Sequence, residues 1–308
     1  MTPWESPALQ AWLRVTRNGE GQYRHLRAAG DSDRRDDGVA ALAGLVREAH
    51  RDAREAMEQA MGRSLDPLDP EAVRDPLTAL YPDDLDTVTL QGHLGEVLAG
   101  LLAENYDPHG EQWTVPAFLF RNHVVAGQSL ERRRQLGGPA RAAPGRTGDD
   151  AVAFRLDEDG HVAAWLFAEA KCTNTHNAGL IAAGHEQLNE PIWLPVDLLL
   201  LVQILESRTG EEDRRWAAAL RELFLATPDD APPRSDMFVY VYGRPPMSRS
   251  GWLSSDSPHQ KYTGGNRLEA AEVYLSQFDE ALSEIYPRHK IDRPLSRPRD
   301  TPLRRGRR

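Results

Sequence analysis

Two short apolar runs, Ala151–Leu156 and His161–Ala170, are joined by Asp157-Glu158-Asp159-Gly160, and the second run closes on Glu169-Ala170-Lys171. A turn of this composition between apolar, β-prone segments signals a two-strand hairpin. The hairpin restricts much else, because it decides which charged side chains share a face. Residues two apart on a strand point the same way, so Glu169 and Lys171 emerge together. If Leu156 pairs with His161, Asp150 lies opposite Phe167 on that same face, while Asp149, opposite Ala168, faces away. A slip of one residue would exchange the two aspartates. Charged groups at the end of an apolar strand are costly unless they are paired or bind a ligand.

Helical periodicity brackets the hairpin. Apolar residues recur at helical spacing over 36–61, with Gly62 just past the end. A second stripe of Val88, Leu94, Val97, Leu98, Leu101 and Leu102 runs through Asp86–Asn105. A short helix is expected near 6–16 and another near 70–80, the latter set among Asp66-Pro67, Asp69-Pro70 and Asp75-Pro76. Val115–Phe120 and Met237–Tyr242 read as strands, and 177–190, 195–207, 213–226 and 267–285 as helices. The order predicts an α/β fold, with a small mixed central sheet flanked by helices and a helical N-terminal region. Residues 1–80 form that region, 81–287 the α/β domain, and 288–308 a basic tail expected to be disordered.

The net charge of −10 over 308 residues argues against a nucleic-acid partner until its distribution is considered. Between Arg121 and Arg146, six arginines face only Glu131; from Arg288 to Arg308, nine Arg or Lys stand against Asp292 and Asp300. Positive charge gathered in two places suits a phosphate backbone, and Arg132, Arg133, Arg134, Arg141 and Arg146 are the candidate contacts. No run approaches the ~20 apolar residues of a membrane span. The N-terminus lacks the basic-then-apolar pattern of a secretory signal, so a cytoplasmic setting is expected. The single cysteine, Cys172, excludes a disulfide framework or Cys-rich zinc site, and the histidines show no zinc spacing. No Gly-x-x-x-x-Gly-Lys-Ser/Thr loop is present, so any ATP hydrolysis belongs to a partner.

Two carboxylates on neighbouring strand ends suit Mg²⁺ or Mn²⁺, hard cations that prefer oxygen ligands. A lysine beside them can position or deprotonate an attacking water, or meet the charge that develops on phosphorus. Gly148-Asp149-Asp150, Glu169-Ala170-Lys171 and, upstream on a helix, Gly95-Glu96-Val97-Leu98 together resemble the PD-(D/E)xK nuclease superfamily over roughly residues 86–245. The proline of the family motif is missing before the aspartate. The resemblance implies a restriction-endonuclease-like core in which Asp150 and Glu169 hold the metal, Lys171 serves catalysis, and Glu96 is a further ligand or holds metal-bound water. The motif spacing is also similar to that of the nuclease subunits of Hachiman anti-phage defence systems. That implies DNA as substrate and a helicase partner, with residues 1–80 and the acidic surface as candidate contacts. Cleavage of RNA by the same site, and a non-catalytic DNA- or protein-binding regulatory subunit on the same scaffold, are the competing readings.

The other conspicuous residues read as structural. Gln187 is expected on a solvated helix face, Cys172 as a buried thiol facing away from Lys171, and Trp113, Trp165 and Trp193 in the core. Trp252 falls in a polar loop, 244–266, expected at the surface, and Gly264-Gly265-Asn266 reads as a turn.

Overall fold

The computed structural model describes residues 4–61, 81–82, 85–118, 120, 150–247 and 251–287. The expected helix near 70–80, Asp149, the arginines at 132, 133, 134, 141 and 146, and the basic tail lie outside them. The described chain forms one mixed sheet from β1 (Leu13–Asn18), β2 (Tyr23–Gly30), β3 (Ala151–Leu156), β4 (Val162–Thr173), β5 (Arg234–Tyr242) and β6 (Leu268–Tyr274). The order is β1-β2-β6-β5-β4-β3. The inner four strands run parallel, and β1 and β3 pair antiparallel at the two edges.

Helices cover both faces. One face carries α1 (Pro7–Trp12), α2 (Arg35–Met61), α3 (Thr87–Asn105) and α7 (Phe278–Ile285); the other carries α4 (Ala178–Gln187), α5 (Leu198–Ser207) and α6 (Glu211–Leu225). The fold is therefore α/β, with a six-stranded mixed sheet between helices and a helix at its N-terminus, compatible with a restriction-endonuclease-like core. Among the described residues, no helix is long and apolar enough to cross a membrane.

The sequence of β5 shows why the layers form. Met237, Val239 and Val241 pack toward the first face, Phe238, Tyr240 and Tyr242 toward the second. A parallel strand buried on both sides needs apolar residues at every position, not at alternate ones. α3 starts where the Asp86 carboxylate accepts the N–H groups of Val88 and Thr89 at 2.9 and 3.0 Å, which satisfies donors the helix cannot. It lies close on β4 because position 95 is glycine: a Cβ there would stand 3.1 Å from Cys172 Cβ.

Three elements differ from expectation. Residues 13–30 form a hairpin that joins the sheet through β6, so this stretch is not part of a separate helical region. β1 reads as polar because it is an edge strand with most of its side chains in solvent. The expected helix over 267–285 is a strand followed by a short helix. Leu268-Glu269-Ala270-Ala271-Glu272 has helix-forming composition, but the slot between β2 and β5 overrides that weak preference. Among the described residues of Val115–Phe120 there is no strand; an isolated antiparallel bridge, Thr114 to Phe154, falls just before them. The apolar residues Val115, Phe118 and Phe120 serve packing. Trp113 and Trp165 are buried as expected, whereas Trp193 is 42% exposed.

Candidate active site

β3 and β4 pair Ala151 with Ala168 and Arg155 with Ala164, then shift by one so that Leu156 faces Val162. This register is two residues from the expected one, and an even shift preserves the faces. Continued by one residue, it sets Asp150 opposite Glu169. Trp165 and Phe167 point toward α4–α6, and alternation carries Glu169 and Lys171 to that side.

Glu169 is fully buried, and its Oε1 forms an ion pair with Lys171 Nζ. Asp150 is 5% exposed, and its Oδ2 accepts the Ala170 N–H at 2.8 Å. One strand's carboxylate is thus tied to the backbone between the two charged residues of the next. Desolvating a carboxylate costs several kcal/mol, and a buried pair often does no more than offset it. Stability is therefore a poor reason to keep these groups together beside Phe167, Phe238 and Tyr240. Next to them a cleft is lined by Phe118, Asp150, Val152, Pro195, Asp197 and Leu198. The arginine-rich segment rejoins the described chain at Asp150, on the wall of that cleft.

Glu96 stands elsewhere. It is buried on α3, the helix that covers Ala170 and Cys172, on the face opposite Glu169. Its charge lies near Tyr81 and Tyr286, whose phenols are pushed well up, chiefly by burial. Those phenols bracket His50, with Nδ1 2.8 Å from Tyr81 Oη and Nε2 3.2 Å from Tyr286 Oη. The His50 ring stacks on Phe120 at 4.4 Å, and burial holds its pKa well below the usual imidazole value. Asp150, Glu169 and Glu96 do not bring their ligand atoms within 4.8 Å of one another. Among the described residues, the group that does is Asp157, Asp159 and His161, exposed on the hairpin turn. There Asp157 Oδ1 accepts the N–H groups of Asp159 and His161 at 3.0 and 2.9 Å, the ordinary work of an aspartate in a turn.

No family model matches this chain, and no curated protein shows significant similarity to it. Its chemistry has to be read from the geometry.

Several residues near Lys171 were not singled out by sequence. Lys171 pairs in register with Tyr240, and Tyr240 with Glu272, so the three form a row across β4, β5 and β6. Alternation in Met237–Tyr242 could have put Tyr240 on this face; nothing local announced Glu272. Glu272 is fully buried and accepts the N–H groups of Trp252 and Leu253 at 2.7 and 2.8 Å, as well as His25 Nε2 at 3.1 Å. Burial raises its pKa, but these bonds outweigh that and hold it below the usual value. Trp252 is half-buried and stacks on His176, so it does more than decorate a surface loop. Gln187 ends α4 half-buried. Cys172 is half-buried on the α3 face, its thiol pushed up by burial.

Proposed function

We propose that this chain is a divalent-metal-dependent nuclease that hydrolyses phosphodiester bonds in DNA, with Asp150, Glu169 and Lys171 as its reacting groups. The observation that carries the reading is two buried carboxylates and an ammonium on one sheet face, in an apolar layer that gains little stability from them. An all-oxygen, doubly negative donor set fits a hard cation such as Mg²⁺ or Mn²⁺, which Asp150 and Glu169 would hold. When bound, such an ion polarises a phosphoryl oxygen and lowers the pKa of water.

The chain's own residues supply the rest. The Ala170 N–H fixes the orientation of the Asp150 carboxylate before any substrate arrives. Lys171, held by Glu169, places a positive charge where negative charge grows on the scissile phosphate. Phe167 and Phe238 keep the local dielectric low, which strengthens both effects. Arg132, Arg133, Arg134, Arg141 and Arg146 remain candidates for phosphate contacts, since their segment rejoins the chain at Asp150. Similarity to Hachiman nuclease subunits extends the reading to a cytoplasmic anti-phage effector restrained by a helicase partner.

The position of Glu96 favours a second reading. The resemblance assigns it to the metal, yet it lies on the opposite face beside Tyr81 and Tyr286. A non-catalytic regulatory subunit on a nuclease-like scaffold would leave such a site incomplete.

The test is cleavage of plasmid DNA with Mg²⁺, with and without the helicase partner, by the natural chain, Glu169→Gln and Lys171→Ala. Each variant should lose activity by about 100-fold or more, and chelation should abolish it. Equal cutting by all three, or none under activating conditions, would sink the catalytic reading. An RNA substrate run alongside separates the two nucleic acids.

A further inference from the structure

We propose that the stacked rings of His176 and Trp252 form the subsite for a nucleobase next to the scissile phosphate, so that the preferred substrate is a DNA strand with an unpaired base there. This deepens the nuclease reading and rests on it.

The two rings lie parallel, with centroids 3.6 Å apart and planes 10° apart. His176 is exposed and Trp252 half-buried, so the stack rises from the protein to its surface. It is built rigidly. The indole N–H donates to Arg244 O at 3.0 Å, and the backbone N–H groups of Trp252 and Leu253 are held by Glu272. Gly251 is needed at the start of this clamp, because a Cβ there would overlap Glu272 Oε1. An ordinary polar loop has no use for a fully buried carboxylate as its anchor. A ring fixed in advance loses little freedom when a ligand stacks on it.

The stack adjoins the proposed catalytic residues. His176 sits edge-on to Tyr240, with centroids 6.3 Å apart, and Tyr240 Oη accepts the N–H of Asn177 at 3.0 Å. Tyr240 is the register partner of Lys171 on one side and of Glu272 on the other. Neighbouring strands are about 4.8 Å apart, so a single strand step and the Tyr240 ring separate Lys171 from the His176 end of the stack. The rings also lie beyond the C-terminal ends of parallel strands, the edge at which open α/β sheets take ligands. The exposed Arg244 beside the indole and Lys171 below supply charge that suits phosphates. Every base has a π face, so such a platform tolerates any sequence. A base inside a duplex is already stacked and cannot reach it.

The test uses full-length Glu169→Gln in Ca²⁺, to suppress cutting, with fluorescence anisotropy on oligothymidine, an abasic strand of equal length and a blunt duplex. Oligothymidine should bind tightest. Adding Trp252→Ala should weaken its binding by about 5- to 150-fold and leave the abasic strand unchanged. Adding His176→Ala, at an exposed position that does not threaten folding, should act in the same direction. Equal binding of oligothymidine and abasic strands, indifference to both substitutions, a preference for the duplex, or no strand binding at all overturns the proposal. Plasmid cleavage by the natural chain is scored separately. If it cuts while the ring variants bind normally, only the subsite falls; if it never cuts but binds strands through the rings, the nuclease reading falls and the rings are left as a base-binding platform with no scissile phosphate beside it.

Discussion

Replacing His185 with leucine should make the protein resist acid. The imidazole is buried in α4, with Nδ1 2.8 Å from Ile181 O and its ring 4.1 Å from that of Phe238. Burial pushes its pKa down to about 4; the carbonyl opposes this and neighbouring His259 adds to it. The native ring therefore stays neutral down to about pH 4, whereas the unfolded ring takes up a proton below about pH 6.5. Between those values the unfolded chain binds the extra proton, so stability falls as pH falls. Each pH unit in the window costs about 1.4 kcal/mol, which integrates to about 2 kcal/mol between pH 7.5 and 5 and about 3 kcal/mol by pH 4. Leucine is a good helix former of comparable size and does not titrate. Urea unfolding followed by tryptophan fluorescence should therefore give a flatter stability curve for His185→Leu, with a gain over the natural chain of about 2 kcal/mol at pH 5 relative to pH 7.5. Curves that run parallel within about 0.5 kcal/mol would mean that the native ring is already hydrated or protonated, and the burial argument would fail.

Lys171→Met should destabilise the fold by about 3–5 kcal/mol, because Glu169 would be left buried without its ammonium. Glu169→Gln/Lys171→Met should recover much of that, and a double-mutant cycle in denaturant checks both. At position 95, alanine should be near neutral: its better helix propensity offsets a Cβ crowded 3.1 Å from Cys172 Cβ. Valine there should cost about 1–3 kcal/mol, read by thermal melting. Glu272→Gln should loosen the loop at Trp252 and Leu253 at a cost of about 1–3 kcal/mol. Limited proteolysis should then cut within 251–266 before the core opens, and unchanged protection would remove Glu272 as the anchor.

What could be read ahead of the structure was whatever a single local force decided. Met237–Tyr242 is apolar at every position, which only a strand covered on both faces requires, and it is one. Asp86 and the Asp-Gly turn each announced an end in local chemistry. The register differs from expectation by two residues, one because Leu156 pairs with Val162 and not His161, the other from the irregularity at Arg155–Leu156, and the faces survive because the shift is even. β6 was hidden for a different reason. Glu269 and Glu272 look like solvated helix positions until Arg24, His25 and the Trp252 backbone arrive from distant parts of the chain to satisfy them. The same limit governs Glu96. Helical spacing put it on α3, but no local pattern tells which side of the sheet that helix will cover.

β2 is held between β1, its immediate neighbour in sequence, and β6, more than two hundred residues further on. During synthesis at ~5–20 residues per second, the first hairpin waits on the order of ten to fifty seconds for its second partner. Throughout that time one edge of β2, with Leu26 and Ala28 beside it, offers unpaired N–H and C=O groups to any passing strand. A holding chaperone that covers this edge during synthesis should therefore raise the yield of folded protein. Transplanting residues 1–34 to follow the C-terminal segment would shorten the wait at its source.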